Sequence, residues 1–409
     1  MIDILIIGGG AAGVAAGRRL SGEAVETLVV EAGDRLGGRG HTRDIAGMKL
    51  DLGCGWLHSA DRNPWRALAE EAEVEIDRTP PAWRTQFADL GFTAEEQAEA
   101  RETYAAFMRR LRETPPPSDL ASDAMETGHR WNCYLEALSG FMNGAELERL
   151  SVADYLAYED AAGELNWRLP AGFGAFITGA GDGLPVRLGA AVERIDRSGP
   201  ILVAHTAAGP IEAHTVIVAV PTNVLADGRL RFTPDLPDKV EAAARLPLGL
   251  ANKAFLRLDR VEPFPPDSQL FGDPRRADTG AYSLRPFGRP VIECFFGGVG
   301  ARELEAEGEG AGLDFGIEQL VGLLGSEMRR RLTPLVETRW GQDPLFGGSY
   351  SHALPGHHAA RAALARPVED RIFFAGEGCS LRDFSTAHGA YETGIAAAEA
   401  ALAALPSAR

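Results

Sequence analysis

Gly8, Gly10 and Gly13 follow a short apolar run, Ile2 to Ile7, and open a stretch of helix-compatible composition. Glycines at this spacing serve one kind of chemistry, the close approach of a backbone to a pyrophosphate. Gly8 permits the tight turn, Gly10 lets the main chain reach the phosphates, and Gly13 lets helix lie on strand. The start of the helix adds free N–H groups and the positive end of a dipole. Glu31 closes the next apolar stretch, Leu28-Val29-Val30, eighteen residues past Gly13. A carboxylate there can accept both ribose hydroxyls and repels a 2′-phosphate. The elements that must position these residues are a strand, a turn, a helix and a second strand. This βαβ unit suits FAD or NAD and excludes NADP.

The rest of the chain is long enough for two or three folding units, at 409 residues, and 45% of it is hydrophobic, as in ordinary soluble proteins. No stretch reaches the roughly 18 uninterrupted apolar residues of a membrane span. Met1 leads straight into the first strand without a basic, apolar, small-residue leader pattern, so the expectation is a cytoplasmic protein with no membrane partner. Lys and Arg number 41 against 58 Asp and Glu, a net charge of −17. Such a surface repels phosphate backbones, which argues against a nucleic-acid partner and mildly favours a cationic small molecule. Cys54, Cys133, Cys294 and Cys379 lie far apart with no C-x-x-C pair, so neither a metal site nor a disulfide framework is expected.

Two glycine-rich turns follow the βαβ unit, Arg35-Leu36-Gly37-Gly38-Arg39 and Asp51-Leu52-Gly53-Cys54-Gly55-Trp56-Leu57-His58. Thr93-Ala94-Glu95-Glu96 is a capping box that opens a helix running to Arg112 before Pro115-Pro116-Pro117, and Ser151-Val152-Ala153-Asp154 starts another. Residues 80–170 therefore read as a mostly helical lobe. Strand character returns at Ala191 to Asp196, Ile201 to Thr206 and Thr215 to Val220, the last an unbroken apolar run suited to burial on both faces. Further strands are expected over Leu246 to Leu258, Pro290 to Phe296 and from Arg371 into Gly376. Helices are expected over Leu313 to Leu332 and from about Ala387 to Leu405, ahead of Pro406. Gly179-Ala180-Gly181-Asp182-Gly183 lacks the third glycine and the later acid of a second nucleotide site and reads as a turn. With one nucleotide site, a flavin would take its electrons from the substrate itself and not from NAD(P)H.

Taken together, these motifs resemble the flavin-containing amine oxidase superfamily, which includes monoamine, polyamine and L-amino-acid oxidases. The resemblance rests on Ile6-Ile7-Gly8-Gly9-Gly10-Ala11-Ala12-Gly13 with Glu31, on Leu36-Gly37-Gly38-Arg39, and on Leu52 through His58. It continues in Val216 through Pro221, in Trp340 with Gly347-Gly348-Ser349-Tyr350-Ser351, and in Phe374-Ala375-Gly376-Glu377 with Thr386 through Gly394. It implies an α/β fold in which a Rossmann-like FAD-binding domain (1–79, 171–229 and 341–409) is interleaved with an α+β substrate-binding domain (80–170 and 230–340). It places FAD on Gly8, Gly10, Ala12, Gly13 and Glu31, with Gly38 and Arg39 along the diphosphate and flavin. Val192 would contact the adenine through its backbone, Glu377 the ribityl and phosphate region, and the turn at Thr386 and Ala387 the pyrimidine edge of the flavin. Gly53, Gly55, Trp340 and Gly376 complete the implied cofactor residues.

The same resemblance puts Lys253 in the place of a lysine that holds a water near flavin N5; on the residues alone it reads as a surface lysine on a strand. Monoamine oxidases carry a flavin-bonding cysteine where this chain has Ser349, which implies noncovalent FAD. Of the two tyrosines that flank the amine in those enzymes, Tyr350 matches one and Thr386 stands in place of the other. Trp56-Leu57-His58 resembles the polyamine branch. His58 reads equally as a cavity residue and as a core or surface histidine. L-Amino-acid oxidases hold the substrate carboxylate with an arginine where Trp56 stands, so amines are favoured unless Arg84 or another residue of the 80–170 lobe substitutes. The implied reaction is oxidation of a small amine by hydride transfer to flavin N5, with O2 reoxidising the flavin to give H2O2. The catalytic set is Lys253, Tyr350, Trp56, His58 and Thr386. Alternatives are an L-amino-acid oxidase, a flavin desaturase of the phytoene-desaturase or protoporphyrinogen-oxidase type, and a non-catalytic FAD-binding protein.

Overall fold

An apolar run that is buried from Ile4 through Ile7 has to be an inner strand covered on both faces. The computed structural model, which describes residues 1–405, places it so; the helix stop expected at Pro406 lies outside the described residues. The strands in chain order are β1 (Ile2–Ile7), β2 (Thr27–Val30), β3 (Thr42–Ile45), β4 (Met48–Asp51), β5 (Val186–Arg187), β6 (Val192–Asp196), β7 (Leu202–Thr206) and β8 (Gly209–Val218). They continue with β9 (Arg231–Thr233), β10 (Ala251–Leu258), β11 (Ser268–Phe271), β12 (Ala281–Leu284), β13 (Val291–Gly297), β14 (Leu332–Glu337) and β15 (Ile372–Phe374).

The first sheet runs β5-β2-β1-β8-β7-β6-β9, with β15 beside β8. β1 is parallel to β2 and β8, in register from Ile7 to Val30 and Val218. β8 forks: its first half pairs antiparallel with β7 and its second half parallel with β15. The helix Ala11–Leu20 leaves β1 through the glycine turn and packs on the helix Ala387–Ala404. That packing depends on missing side chains. A Cβ on Gly13 would stand 1.8 Å from the Gly8 carbonyl oxygen, and one on Gly394 would stand 2.2 Å from that of Ala12.

The second sheet, β11-β12-β13-β10-β14, is antiparallel and has its own core around Leu256, Tyr282, Ile292 and Phe296. The expected capping box at Thr93 and the expected cap at Ser151 both form. The Thr93 hydroxyl and the Glu96 carboxylate cap the helix Ala94–Glu113 reciprocally, and the Ser151 hydroxyl accepts from Asp154 N to start Val152–Ala161. The helix expected over Leu313 to Leu332 instead ends at Leu324, because Gly325 turns the chain at φ +97°, and β14 begins at Leu332. The strand expected from Leu246 begins at Ala251. β9 and the helix Pro237–Ala244 follow residue 229 yet pack with Val216, Val218 and Phe374, so the core of the first sheet continues to Leu246. All four cysteines are free. No helix among the described residues is long and apolar enough to cross a membrane.

Candidate active site

The Gly8–Gly13 turn and the Arg35–Arg39 turn meet at one end of the first sheet, where Gly10 bridges to Gly37. A Cβ on Gly10 would find nothing closer than the Gly38 Cα at 3.9 Å, and Gly38 itself has φ +58°. A space that a side chain would fill thus lies at the start of the helix Ala11–Leu20, whose first-turn amides have no intrahelical partner. This is the form of a diphosphate cradle. At its edge the Glu31 carboxylate accepts from Gly9 N at 2.6 Å and Gly33 N at 2.7 Å. Ala190 N donates to the Glu31 carbonyl, which brings the chain leading into Val192 alongside. The Val192 side chain points into the core, leaving its backbone as the part that can face a base. These residues fit a dinucleotide, and the Glu31 carboxylate fits its ribose.

Arg39 extends from the Arg35–Arg39 turn, and its Nη1 donates to Glu377 at 3.0 Å. Glu377, 5% exposed, also accepts from the Ser351 hydroxyl at 2.6 Å and from Ser385 N at 3.0 Å. Burial pushes its carboxyl up, but the Arg39 charge and the Ser351 bond outweigh burial and hold it below its ordinary value. Fully supplied with protein donors, Glu377 anchors Arg39. Behind it the guanidinium of Arg361, wholly buried, donates to the Ser351 hydroxyl at 3.0 Å and makes a two-pronged pair with Asp154 at 2.6 and 2.8 Å. Gly376 enters this turn at φ +128°.

Lys253 on β10 is 8% exposed, not a surface lysine. Its Nζ donates to the Asp51 carbonyl at 2.9 Å and pairs with Glu293 at 2.9 Å. Glu293 lies on β13 two residues from the position opposite Lys253, a diagonal neighbour on the same face. A Cβ on Gly55 would stand 3.5 Å from this ammonium, and one on Gly53 would strike the Arg39 carbonyl at 1.7 Å. The Gly53-Cys54-Gly55 turn is thereby wedged between Arg39 and Lys253. Burial pushes the Cys54 thiol up to about 12, so it stays protonated. Trp340 closes the turn from the side, donating from Nε1 to the Leu52 carbonyl at 3.3 Å. The Ser349 hydroxyl donates to the Ala251 carbonyl at 2.8 Å and accepts from its N–H at 2.9 Å, and the Tyr350 hydroxyl donates to the Phe141 carbonyl at 2.7 Å.

Residues 80–402 match the family described as flavin containing amine oxidoreductase, and residues 6–72 match the NAD(P)-binding Rossmann-like domain. The chain belongs to the flavin-containing amine oxidoreductase family. It is an FAD-dependent amine oxidase. Among curated relatives it is 30% identical to a polyamine oxidase of Oryza sativa subsp. japonica, over 97% of this chain and 88% of that protein. It is 28% identical to a polyamine oxidase of Arabidopsis thaliana, over 97% and 87%. Its fold is shared with a wild-type putrescine oxidase bound to putrescine, with a TM-score of 0.77 at 19% identity over 98% of this chain and 99% of that one.

In this amine oxidase Trp56, His58 and Trp83 form an aromatic cluster beside the Gly55 turn. The Trp56 and Trp83 ring centroids are 4.7 Å apart, edge to face, and His58 lies 5.9 Å from Trp83. His58 Nδ1 meets Asn166 Oδ1 at 2.8 Å, and burial lowers its imidazole to about 4, so it is neutral. The arginine against Trp56 is Arg168, 4.8 Å from the ring and bonded to Asp77 at 2.6 Å and Asp267 at 2.7 Å. Arg84 is exposed. Thr386 is an N-cap: its hydroxyl accepts from Gly389 N at 3.0 Å and donates to the Asp383 carbonyl at 2.6 Å. The Ala387 carbonyl accepts from Trp65 Nε1 at 2.9 Å, which fixes the start of the helix Ala387–Ala404.

Sequence reasoning missed Trp83, Glu293, Arg168 and the Asp154–Arg361 pair. Trp83 had a signal, a tryptophan after Pro80-Pro81 with no helix or strand pattern around it. The sequence around Asp154 shows only its cap, whereas its carboxylate reaches across the chain. Glu293 carried no local signal at all, because its pairing with Lys253 is a product of strand register.

Proposed function

We propose that this enzyme oxidises a small aliphatic di- or polyamine, bound as the neutral amine between Tyr350 and the Trp56–Trp83–His58 cluster, over noncovalent FAD. The observation that carries the substrate class is Arg168. Its guanidinium lies against Trp56 but is already paired with Asp77 and Asp267. A substrate carboxylate would compete with two fixed carboxylates for it, which disfavours amino acids. The polyamine and putrescine oxidases to which the chain is similar support the same reading.

FAD, when bound, would supply the oxidising power for removal of a hydride from the amine α-C–H, with O2 as the final electron acceptor and H2O2 as product. The residues that would hold it are Gly10 and Gly38 through their backbone, Glu31, Arg39 and the helix start at Ala387. Ser349 is committed to Ala251 by two hydrogen bonds and offers no sulfur, which supports a noncovalent mode. Tyr350 is held by Phe141 and presents its ring as a wall. Neutral His58 adds an apolar-bodied face without a charge to repel a second ammonium group. Lys253, fixed at two acceptors, places a cation where negative charge develops as O2 is reduced. No strong protein base is needed when the amine is already neutral.

Anaerobic mixing of the purified enzyme with mono-, di- and polyamines and L-amino acids tests the reading. Bleaching of the oxidised-flavin band by di- or polyamines, reversed by air with release of H2O2, is expected. Bleaching by L-amino acids alone would reverse the Arg168 argument, and none by any member, with dithionite still reducing the flavin, would refute amine oxidation.

A further inference from the structure

Gly347 and Gly348 of the turn that carries Ser349 also line a separate cavity of about 290 Å³, just under the roughly 300–1,000 Å³ of ligand pockets. None of Gly10, Arg39, Lys253 or Glu377 borders it. His352 forms part of its wall and is 2% exposed, yet neither ring nitrogen has a hydrogen-bond partner among the described residues. A buried polar group left bare is costly and calls for a partner. Burial, with the nearby charges of Arg149 and Arg361, lowers this imidazole to about 3. It is neutral and offers one N–H donor and one acceptor.

The charges around it are asymmetric. Arg149 lines the cavity, is exposed, and has no carboxylate within ion-pair distance among the described residues. Arg302, also on the wall, shares Glu146 at 2.5 Å. The single carboxylate on the lining, Glu305, has its Oε1 engaged by Asn252 Nδ2 at 2.8 Å and Gly341 N at 2.9 Å. Its charge turns an anionic group away from itself and toward the arginines, and it disfavours a second negative charge on the ligand.

We propose that this cavity binds a small hydroxy-monocarboxylate, with its carboxylate on Arg149 and Arg302 and its hydroxyl on His352. A hydroxyl both donates and accepts, which is what a neutral imidazole requires, and a guanidinium takes a carboxylate in two parallel bonds. The site sits against the turn that bears Tyr350, since Gly249, on the same lining, accepts from Ser349 N and donates to the Tyr350 carbonyl, each at 2.8 Å. Binding itself does not depend on the amine reading.

The test is calorimetric titration of the holoenzyme with 3-hydroxybutyrate, with 1,3-butanediol as the uncharged analogue. Saturable binding of 3-hydroxybutyrate is expected, at least tenfold weaker for the diol and at least tenfold weaker in Arg149→Ala. His352→Phe should abolish it; should that variant fail to fold, the surface variant Arg149→Ala carries the test alone. No saturable heat, as for a cavity filled by water only, or equal affinity in Arg149→Ala, would overturn the proposal.

Discussion

Lys253→Met separates the chemistry of the ammonium from its part in the fold. Methionine keeps the length and apolar stem of the side chain and removes the charge. Two contacts disappear, the hydrogen bond to the Asp51 carbonyl and the pair with Glu293, both at 2.9 Å. The carboxylate left behind is not trapped: the Glu293 side chain is 21% exposed and water reaches it. The stability cost therefore falls at the low end for a lost pair, about 1 kcal/mol, or a Tm lower by about 2 °C. The effect on oxygen reduction is larger, because a preorganised charge in a water-poor site contributes about 2.7–4 kcal/mol to the step it serves, a factor of about 10²–10³. Stopped-flow mixing of the amine-reduced variant with aerated buffer should show that slowing, with FAD content near that of the wild type. The double variant Lys253→Met/Glu293→Gln controls for the stranded carboxylate and should be equally slow. Reoxidation of Lys253→Met within threefold of wild type would refute the assignment, and recovery in the double variant would transfer the effect to Glu293.

Gly13→Ala puts a methyl 1.8 Å from the Gly8 carbonyl; strand and helix must part, at a cost of about 1–3 kcal/mol or more, and the purified protein should be colourless with a lowered Tm, whereas a full flavin complement would contradict the packing argument. Asp154→Asn leaves Arg361 buried without its counter-charge and should cost about 3–5 kcal/mol at neutral pH in chemical denaturation. Burial pushes the Asp154 carboxyl up, but Arg361, with His358 and Ala353 N, outweighs it and holds it well below the carboxylate range. Its contribution is thus complete above the unfolded value of about 3.9 and is lost as pH falls further, so the gap between wild type and variant should narrow only in acid. Trichloroacetic acid should release the yellow chromophore to the supernatant, and colour in the pellet would disprove the Ser349 reasoning. With His58 lowered to about 4, kcat/KM between pH 6 and 8 should follow the ionisation of the amine alone; an inflection that vanishes in His58→Gln would show the imidazole titrating.

The parts of the site that could be read from sequence are those whose geometry is local. Gly8, Gly10, Gly13 and Glu31 sit on one strand-turn-helix-strand unit, so spacing alone positions them, and the Thr93 and Ser151 caps form for the same reason. Lys253 was legible only through resemblance, since burial is a property of what packs on a strand. The short strands β11, β12 and β14 were missed because polar residues, and Pro334 in β14, interrupt their apolar runs. Gly325 was a stop signal inside a helix-compatible run, and its left-handed turn decided the boundary. Asp154 and Arg361 are 207 residues apart, and nothing in either neighbourhood marks the other.

That long-range pair limits how the enzyme can be rebuilt. Asp154 stands on the helix Val152–Ala161, within the segment 80–170 that the sequence assigns to the substrate-binding domain, and from it a line of contacts runs through Arg361, the Ser351 hydroxyl and Glu377 to Arg39 beside the glycine turns. That segment is therefore not a detachable cassette. A chimera that imports this lobe from a relative to change the pocket must also import a carboxylate at position 154. Without it, the graft strands a buried cation four links from the cofactor, and a swap meant to alter substrate choice will be selected first on whether it can still hold Arg39 in place.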